Sequence, residues 1–496
     1  MSKYIALTLG PITRVISLAR TTRGMWAASY LFSYLAKHII SKFENHSFLL
    51  PYLDSNIFKE TFNGIGVFPD RYIFESNEGD FELLATEADN ALNILGANIA
   101  PNNQTEATKM LRQYLKIFFF ETSRNDGESD RALVERCEKQ LALLEQNDSF
   151  IPSVPENKHY LSSLINCKRL EPMQFLLSDA NLRQFSSIVN ISTGDDGFGN
   201  AVLPKIPYQR YIAIVYADGD SMGEAFTKAA SSHDLSQRLF VFNKEAIAAI
   251  NNFGGQPVYI GGDDLFFFAP VYCPNKGSVF SLIDQLDKAF HNAVGDSCPA
   301  TLSFGVSITY IKYPMSEAVE LSRGLLAKAK GNNPPEGTSV LKNNVAFAVQ
   351  KHSGQNRSAL LHKGCTGTVT KMNHLLDTYI TGGNNDDMLL VKSVMHNLRE
   401  HEPILLNAIT DENLLKLYFS NNYNEPKHKQ FEGFFKDVCK FLITAYKDFD
   451  GKTDLLKRSL ESPFKDRPEG HNSAFAAIDL CYATLQFIHL VNAPKK

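Results

Sequence analysis

Residues 259–270, YIGGDDLFFFAP, are the stretch that most restricts how this chain can fold. Apolar runs flank a Gly-Gly-Asp-Asp tetrad, a pattern that predicts a β-hairpin with the tetrad at its turn. The run LFFFA is too apolar to be left in water, so the second strand should lie in a packed sheet. The hairpin therefore places two adjacent carboxylates at the edge of a hydrophobic core, where like charges repel.

The segments around this hairpin complete a β-α-β-β-α-β unit, which predicts a ferredoxin-like domain over residues 206–355. A strand is predicted at 210–217, and a helix from Met222 to about Asn252 with a break at Ser231-Ser232. The other predicted elements are a helix at 277–294, a strand at 300–311, a helix at 316–331 that ends at Gly331, and a strand at 345–350.

The first hundred residues repeat this order in weaker form, which predicts a second ferredoxin-like domain. A strand is expected at 4–9, a helix at 12–42, a hairpin at 64–75 around a Pro-Asp turn, and a helix at 80–98.

The rest of the chain is predicted to be helical. Residues 101–205 form a helical insert, with a helix at 106–121 and a linker at 190–207, and residues 356–496 form a C-terminal helical domain. The fold class is thus α+β, with two ferredoxin-like domains at 1–100 and 206–355 and two helical domains.

Composition limits the partners. A net charge of −4 argues against a generally basic nucleic-acid binder, although a local basic groove or a partner that carries RNA stays open. The seven cysteines never occur as CxxC, so neither a zinc ribbon nor a disulfide framework is predicted. No apolar run approaches the ~20 residues of a membrane span. We expect a cytoplasmic protein with no membrane segment.

Three carboxylates are the candidate catalytic residues. Asp218 ends one predicted strand, and Asp263 and Asp264 lie at the hairpin turn of its expected neighbour. Carboxylates brought together at one sheet edge call for a cation, and Mg²⁺ (or Mn²⁺) prefers carboxylate oxygens with substrate phosphates. Two such ions can activate an attacking hydroxyl and stabilise a leaving pyrophosphate, so the pattern predicts nucleotidyl transfer.

The residues around these carboxylates are candidates for nucleotide binding. Glycines permit positive φ at the hairpin turn, and the loop that enters the next helix offers free N–H groups to a triphosphate. A lysine near the end of the 316–331 helix would offset negative charge, and a serine in TLSFG is expected at the same sheet end. These residues are Gly219, Asp220, Ser221, Met222, Gly223, Gly261, Gly262, Ser303 and Lys330.

Simpler interpretations remain open at this point. GGDD alone is compatible with a solvated acidic turn, and YADGDSMG (216–223) with a helix N-cap that has acidic residues in its first turn. Lys330 would stabilise a helix C-terminus without any ligand.

Taken together, the motifs resemble the large polymerase/cyclase subunit of type III CRISPR effector complexes, the Cmr subtype in particular. The matching segments run in family order over about residues 1–355: TRGMWAASYLFSYL, FPDR, YADGDSMG, GGDDLFFFAP, TLSFGVSI, AKAKG, and KHSG at 351–354. Members commonly begin with an HD nuclease domain; this chain starts at the first predicted strand, so cleavage of DNA by that domain is not expected.

The resemblance implies a subunit that works with other effector subunits, a guide RNA and a target RNA. Binding of target RNA would activate the GGDD domain to make a nucleotide second messenger from ATP. Asp218 and Asp263, with Asp264, would hold Mg²⁺, and the DGDSMG loop would hold the triphosphate. The first ferredoxin-like domain lacks the acidic cluster and would be non-catalytic, holding the acceptor.

Asp70 is a departure from the family pattern, which usually has Pro-Asn-Arg where this chain has Pro-Asp70-Arg71. Most members join ATP into cyclic oligoadenylates, but some without the HD domain link AMP to S-adenosylmethionine. An aspartate suits that cationic acceptor, so the S-adenosylmethionine–AMP conjugate is the favoured product and cyclic oligoadenylate the alternative. The simpler interpretation is that Asp70 only pairs with Arg71 or caps a turn.

Two further hypotheses differ in class. In the first, the carboxylates serve no chemistry and the chain is an assembly scaffold with a silent active site. In the second, the chain is a free-standing cyclase of the GGDEF type that uses GTP. The fourth motif residue, Asp264 rather than Glu, and the long C-terminal helices argue against the latter.

Overall fold

Two β-sheets organise the chain in a computed structural model. The structure describes residues 2–53, 57–58, 62–147, 158–182, 185–194, 204–229, 231–295, 298–331, 341–350, 356–380, 385–452 and 471–492. The KHSG segment and half of the predicted linker, residues 195–203, lie outside these ranges. The fold is α+β, as predicted, with helices packed on both sheets.

The first sheet has four antiparallel strands in the order β2-β3-β1-β4, which is the ferredoxin-like order. Its central strand β1 is almost wholly buried. The strands are β1 (Lys3–Gly10), β2 (Phe48–Leu50), β3 (Arg71–Ser76) and β4 (Lys116–Ser123).

Two expectations for this sheet are wrong. β3 pairs with β2 and β1 instead of forming a hairpin with residues 64–68. The run KIFFFETS, predicted as the end of a helix, is strand β4 paired to β1. Aromatic residues favour strands, and the open edge of β1 offers a ladder that outweighs local helical spacing. The first sheet therefore extends beyond residue 100.

The helices of the first half pack on this sheet and continue into the insert. The indole N–H of Trp26, in α2, donates to the Gly64 carbonyl at 2.8 Å and holds the 64–70 segment against the helix. The helices are α1 (Ile12–Ser17), α2 (Thr22–Ile40), α3 (Asp80–Ile99), α4 (Gln104–Tyr114), α5 (Asp130–Asn147), α6 (Tyr160–Ile165), α7 (Gln174–Asp179) and α8 (Ile188–Thr193).

The second sheet has six strands in the order β12-β11-β10-β5-β7-β6. Its β10-β5-β7-β6 part repeats the order of the first sheet, as the sequence repeat predicted. The strands are β5 (Tyr211–Asp220), β6 (Gln256–Gly261), β7 (Asp264–Pro270), β10 (Thr301–Tyr310), β11 (Asn344–Gln350) and β12 (Asn356–His362), and a small hairpin adds β8 (Tyr272–Cys273) and β9 (Gly277–Ser278).

The helices of this unit follow the prediction closely. The expected break near residue 231 separates α9 from α10, whose N-cap is Ser231. Gly331 ends α12 with φ 67°, a left-handed conformation that glycine adopts readily. The helices are α9 (Met222–Lys228), α10 (Ser232–Phe253), α11 (Val279–Val294) and α12 (Met315–Lys330).

Among the described residues, the C-terminal part is helical except at its start, where the all-helical expectation is wrong. Strand β12 pairs antiparallel with β11 and covers what would otherwise be an apolar sheet edge. The helices are α13 (Thr366–Tyr379), α14 (Asn385–Glu400), α15 (Glu402–Ala408), α16 (Glu412–Asn422), α17 (Glu432–Phe449) and α18 (Asn472–Asn492).

Helix α18 bears on the expectation that the chain has no membrane segment. Within the described chain it alone has the length and composition of a membrane span, with a mean hydropathy of 1.5. However, 83% of its apolar window is buried inside the protein, where it packs on α14 and α17. A core helix meets the same criterion.

Candidate active site

The three predicted carboxylates come together where β5 meets the β6–β7 hairpin. The pairing of β5 with β7 ends one residue before Asp218, so Asp218 stands opposite Asp264. A Cβ on Gly219 would lie 2.4 Å from Oδ2 of Asp263, so only glycine lets the Asp263 carboxylate approach β5 this closely. The convergence expected from strand order is present.

The hairpin turn is held by a residue that sequence reasoning missed. Gly262 has φ 63°, and the buried amide of Asn243, in α10, faces its backbone. The side-chain amide of Asn243 is oriented so that its donor faces an acceptor and its acceptor faces a donor. Its N–H₂ group donates to the Gly262 carbonyl at 2.8 Å, and its oxygen accepts from the Gly262 N–H at 2.9 Å. Asn243 thereby fixes the turn that carries Asp263 and Asp264. A lone amide on the apolar face of α10 was the available signal.

Gly261 has a different role from the one expected, because positive φ occurs only at Gly262 of this pair. A Cβ on Gly261 would lie 2.5 Å from the hydroxyl of Tyr259. Gly261 therefore leaves room for that phenol, which lies beside the carboxylates.

Burial and neighbouring negative charge make Asp263 and Asp264 weaker acids than usual, because both raise the pKa of these two carboxyl groups. Burial, then the charge of Asp218, raises the pKa of Asp263 to about 6. The side chain of Asp264 is exposed to the water of the cleft, but the walls of the cleft enclose it. This burial, followed by the negative charges of Asp263 and Asp218, raises the pKa of Asp264 well above its ordinary value. Both groups would be easier to ionise beside a cation.

Lys330 lies within this group, as predicted. Its Nζ is 2.5 Å from Oδ2 of Asp218 and donates to the Gly219 carbonyl at 2.9 Å. The ammonium group thus joins the end of α12 to the end of β5. This contact goes beyond stabilisation of a helix C-terminus, because it places a positive charge on the predicted phosphate loop.

Asp220 and Ser303, both predicted to bind the nucleotide, are buried behind the end of β5. Asp220 is 1% exposed, and its Oδ2 accepts hydrogen bonds from Thr301, Ser303 and the Asn343 N–H. Ser303 is fully buried in β10. The hydroxyl of Ser303 donates to Oδ2 of Asp220 at 2.7 Å, whereas Oδ1 of Asp220 is buried without a hydrogen-bond partner among the described residues.

The rest of the predicted phosphate loop connects the end of β5 to the start of α9. Ser221 has φ 57°, which turns the chain sharply from β5 into α9 at Met222. No described atom lies within 4 Å of the position that a Cβ on Gly223 would take, so its packing does not require glycine.

Two cavities meet at these carboxylates, and Asp70, Tyr259 and Asp264 line both. The helix-side chamber, about 430 Å³, lies between α1 and α12 and is lined by Ile12, Ile16, Tyr216, Phe266, Glu320 and Arg323 among others. The turn-side chamber, about 240 Å³, is lined by Tyr52, Phe240, Asn243, Gly261, Gly262 and Asp263 among others. The pair forms a cleft with room for two small ligands.

Asp70, which is predicted to bind the acceptor, therefore faces the predicted catalytic carboxylates from the other half of the chain. Its carbonyl accepts from the Leu9 N–H at 2.8 Å, and a β-bridge from Gly66 to Tyr259 attaches its segment to β6. Burial raises the pKa of Asp70 despite the nearby Arg71. The guanidinium of Arg71 contacts both carboxylate oxygens of Glu145, at 2.9 and 3.1 Å, so simple pairing with Arg71 does not explain Asp70.

The donor set fits a metal only together with a ligand. Within the described residues, no three His, Cys, Asp or Glu side chains are placed to enclose an ion by themselves. Lys330 also occupies one oxygen of Asp218. Mg²⁺ commonly binds through one or two carboxylates plus substrate phosphates, and this arrangement suits that mode.

Comparison with known families agrees with this geometry. Residues 211–337 match the profile of the Cas10/Cmr2 second palm domain, and residues 4–112 match the N-terminal profile of the CRISPR-associated protein Cmr2. Both matched segments belong to the Cas10/Cmr2 family. The resemblance found in the motifs is confirmed, and the GGDD unit is a palm domain of a Cmr-type large subunit.

Solved structures share the fold of this Cas10/Cmr2 chain at low sequence identity. A chain of the type III-B Cmr-beta complex in the apo state matches with TM-score 0.53 and 10% identity, over 80% of this chain and 75% of that one. A Csm1–Csm4 cassette in complex with cA4 matches with TM-score 0.50 and 14% identity, over 98% and 70%. The apo cassette gives the same values. No curated protein matches in sequence.

Proposed function

We propose that this Cas10/Cmr2 chain is a nucleotidyltransferase that transfers AMP from ATP to an acceptor and releases pyrophosphate. One observation carries the proposal: Asp218, Asp263 and Asp264 meet at one edge of the second palm, with Lys330 beside them. Asp70 of the first ferredoxin-like domain, called the first palm from here on, lies across the cleft. A donor phosphate and an acceptor could lie side by side at this point of the cleft.

The chemistry is a single displacement at phosphorus. A ribose hydroxyl of the acceptor attacks the α-phosphorus of ATP, the bond to pyrophosphate breaks, and the hydroxyl proton passes to solvent or to a carboxylate. Mg²⁺ or Mn²⁺ bound with the phosphates would activate the hydroxyl and neutralise charge on the leaving group. Lys330 orients the loop after β5 and adds positive charge near the triphosphate.

The turn-side chamber suits the donor. Gly261 and Gly262 line this chamber without side chains that would fill it. Tyr52 and Phe240 offer aromatic surface on which an adenine could pack. The loop from Gly219 to Gly223 leads from β5 into α9 beside the catalytic carboxylates, where its backbone N–H groups suit phosphates.

The helix-side chamber suits a cationic acceptor. Four carboxylates line it, those of Asp70, Asp218, Asp264 and Glu320, against a single described basic side chain, Arg323. A second ATP would bring a triphosphate into this acidic surrounding, whereas the sulfonium and ammonium of S-adenosylmethionine would be attracted. We therefore favour an S-adenosylmethionine–AMP conjugate as product.

A cyclic oligoadenylate is the second candidate. The Csm1–Csm4 cassette that shares this fold was solved with cA4. If the acceptor were ATP, Asp70 would have to tolerate a nearby phosphate.

The working protein is proposed to be a subunit of a type III effector complex in the cytoplasm. Its structural relatives come from Cmr-beta and Csm1–Csm4 assemblies. Guide and target RNA would act through the complex, with target binding as the activating event.

The decisive experiment is the mass of the product. The complex, activated with target RNA, is incubated with labelled ATP with and without S-adenosylmethionine. We expect a conjugate that disappears when S-adenosylmethionine is omitted; an unchanged product would refute the conjugate. Asp70→Asn should impair conjugate formation more than ATP binding, and equal losses would count against its acceptor role.

A scaffold without chemistry is tested separately. Combined Asp263→Ala and Asp264→Ala should abolish the product while the complex still assembles. Unchanged product formation would leave the scaffold hypothesis standing.

A further inference from the structure

The wall of the helix-side chamber formed by α12 carries an ion pair that the proposed chemistry does not use. Val319, Glu320, Arg323 and Leu326 line the cavity from one face of the helix. Of the chamber's described lining residues, only Arg323 is basic. Arg323 donates from a terminal nitrogen to Oε1 of Glu320 at 2.9 Å, and both side chains are accessible, at 39% and 63%.

This pair is close to the reacting end of the chamber. Tyr216 lines this chamber together with Asp264, Glu320 and Arg323, so the ion pair and the carboxylate share one cavity with the phenol. The Tyr216 ring stacks on Phe266, with centroids 4.1 Å apart and planes 12° apart, which gives the chamber a rigid aromatic floor. A ligand on this floor would reach the ion pair and Asp264 at once.

Helix stability alone does not require the pair to be here. An i,i+3 ion pair stabilises a helix by only a few tenths of a kcal/mol and works as well on any exposed face. Here the pair is on the face that meets the cavity, between apolar Val319 and Leu326. The contact with Glu320 uses one of the five N–H groups of Arg323, so a planar anion could still bind the guanidinium.

We infer that Glu320 and Arg323 recognise the α-amino-acid head group of the acceptor, with its carboxylate on Arg323 and its ammonium on Glu320. A carboxylate and a guanidinium form two parallel hydrogen bonds, which fixes orientation as well as affinity. A cationic centre further along the acceptor would then face Asp70 across the chamber. This inference rests on the proposed use of an amino-acid-bearing nucleoside acceptor and names the residues that select it.

The arrangement discriminates between the two candidate acceptors. A zwitterionic head group offers each side chain of the Glu320–Arg323 pair a new partner of opposite charge. Its ammonium pairs with Glu320 and its carboxylate pairs with Arg323, so neither side chain is left unpaired. A triphosphate would satisfy Arg323 but would bring several negative charges to Glu320 and Asp70.

The test combines a protein change with a ligand change. The target-activated complex is assayed with ATP and either S-adenosylmethionine or its decarboxylated analogue, which keeps the sulfonium and loses the carboxylate. We expect the wild type to show at least a tenfold higher KM for the decarboxylated analogue. Arg323→Gln should raise KM for S-adenosylmethionine at least tenfold, leave KM for the analogue unchanged, and leave KM for ATP within about twofold.

Lys328→Gln is the matched control, because it removes the same charge from the same helix while its amine contacts Ser358 outside the chamber. It should preserve the preference for S-adenosylmethionine. Glu320→Gln should raise KM for both acceptors, since both keep the ammonium.

Two results would overturn the inference, and they differ. If conjugate forms but Arg323→Gln raises KM equally for both acceptors, or for neither, the head group does not bind Arg323. If neither acceptor is used and ATP yields only oligoadenylates, the proposed acceptor fails, and this inference fails with it.

Discussion

Removal of the amide that holds the GGDD turn should weaken metal-dependent catalysis without unfolding the protein. In Asn243→Ala, the Gly262 N–H and carbonyl lose partners at 2.9 and 2.8 Å. A hydrogen-bonding group left unpaired in a protein interior costs about 1–3 kcal/mol. If most of this free energy is lost from the active conformation of the turn, Asp263 and Asp264 occupy their catalytic positions for a smaller fraction of the time. Activity should then fall about 10- to 100-fold.

The assay is product formation against Mg²⁺ concentration in the activated complex. For Asn243→Ala we expect a higher Mg²⁺ concentration at half-maximal rate and partial recovery with excess metal. Asn243→Asp should be worse, because its carboxylate would face the Gly262 carbonyl and the acidic cluster. Asn252→Ala, an exposed change in the same helix, should behave as wild type. If Asn243→Ala lowers the unfolding temperature but leaves the Mg²⁺ dependence unchanged, the turn is not positioned by this amide.

Three further changes test the electrostatics and the close packing. The pKa of Asp263 is raised to about 6 in the folded chain, so without metal its charge destabilises the fold as pH rises from about 4 through 6. Asp263→Asn should therefore raise the unfolding temperature in EDTA at pH 7.5 and about half as much at pH 5; equal effects would contradict this. Lys330→Gln should raise KM for ATP about tenfold, and an unchanged KM would show that Lys330 serves only the helix end. Gly219→Ala puts a Cβ 2.4 Å from Asp263 and should reduce activity at least tenfold while the complex still assembles; normal activity would mean that Asp263 has room to move.

The second palm was more predictable from sequence than the first. Its strands are long and apolar, and its turn carries glycines, so local signals agree with the final fold. In the first sheet, β2 has three residues and β4 looks like part of a helix, and only pairing with β1 and β3 decides their structure. Such long-range pairing leaves little trace in local periodicity.

The candidate site shows the same division. Asp218, Asp263 and Asp264 could be predicted because strand order alone brings them together. Asp220 stands in the same motif, yet the direction of its side chain along β5 buries it. The partner of the turn, Asn243, lies far from the motif in the sequence, and no spacing rule connects a helix amide to a glycine backbone.

The bridge between Gly66 and Tyr259 has a consequence for how this protein is dissected. β6 is the outermost strand on its side of the second sheet, and the segment around Gly66 lies along it. A fragment that begins after the first palm would leave the backbone of Val258 and Ile260 open to other chains, and exposed apolar edges promote aggregation. Aggregation of an isolated GGDD domain would therefore be explained by the uncovered edge of β6. It would not be evidence against catalytic activity of the domain.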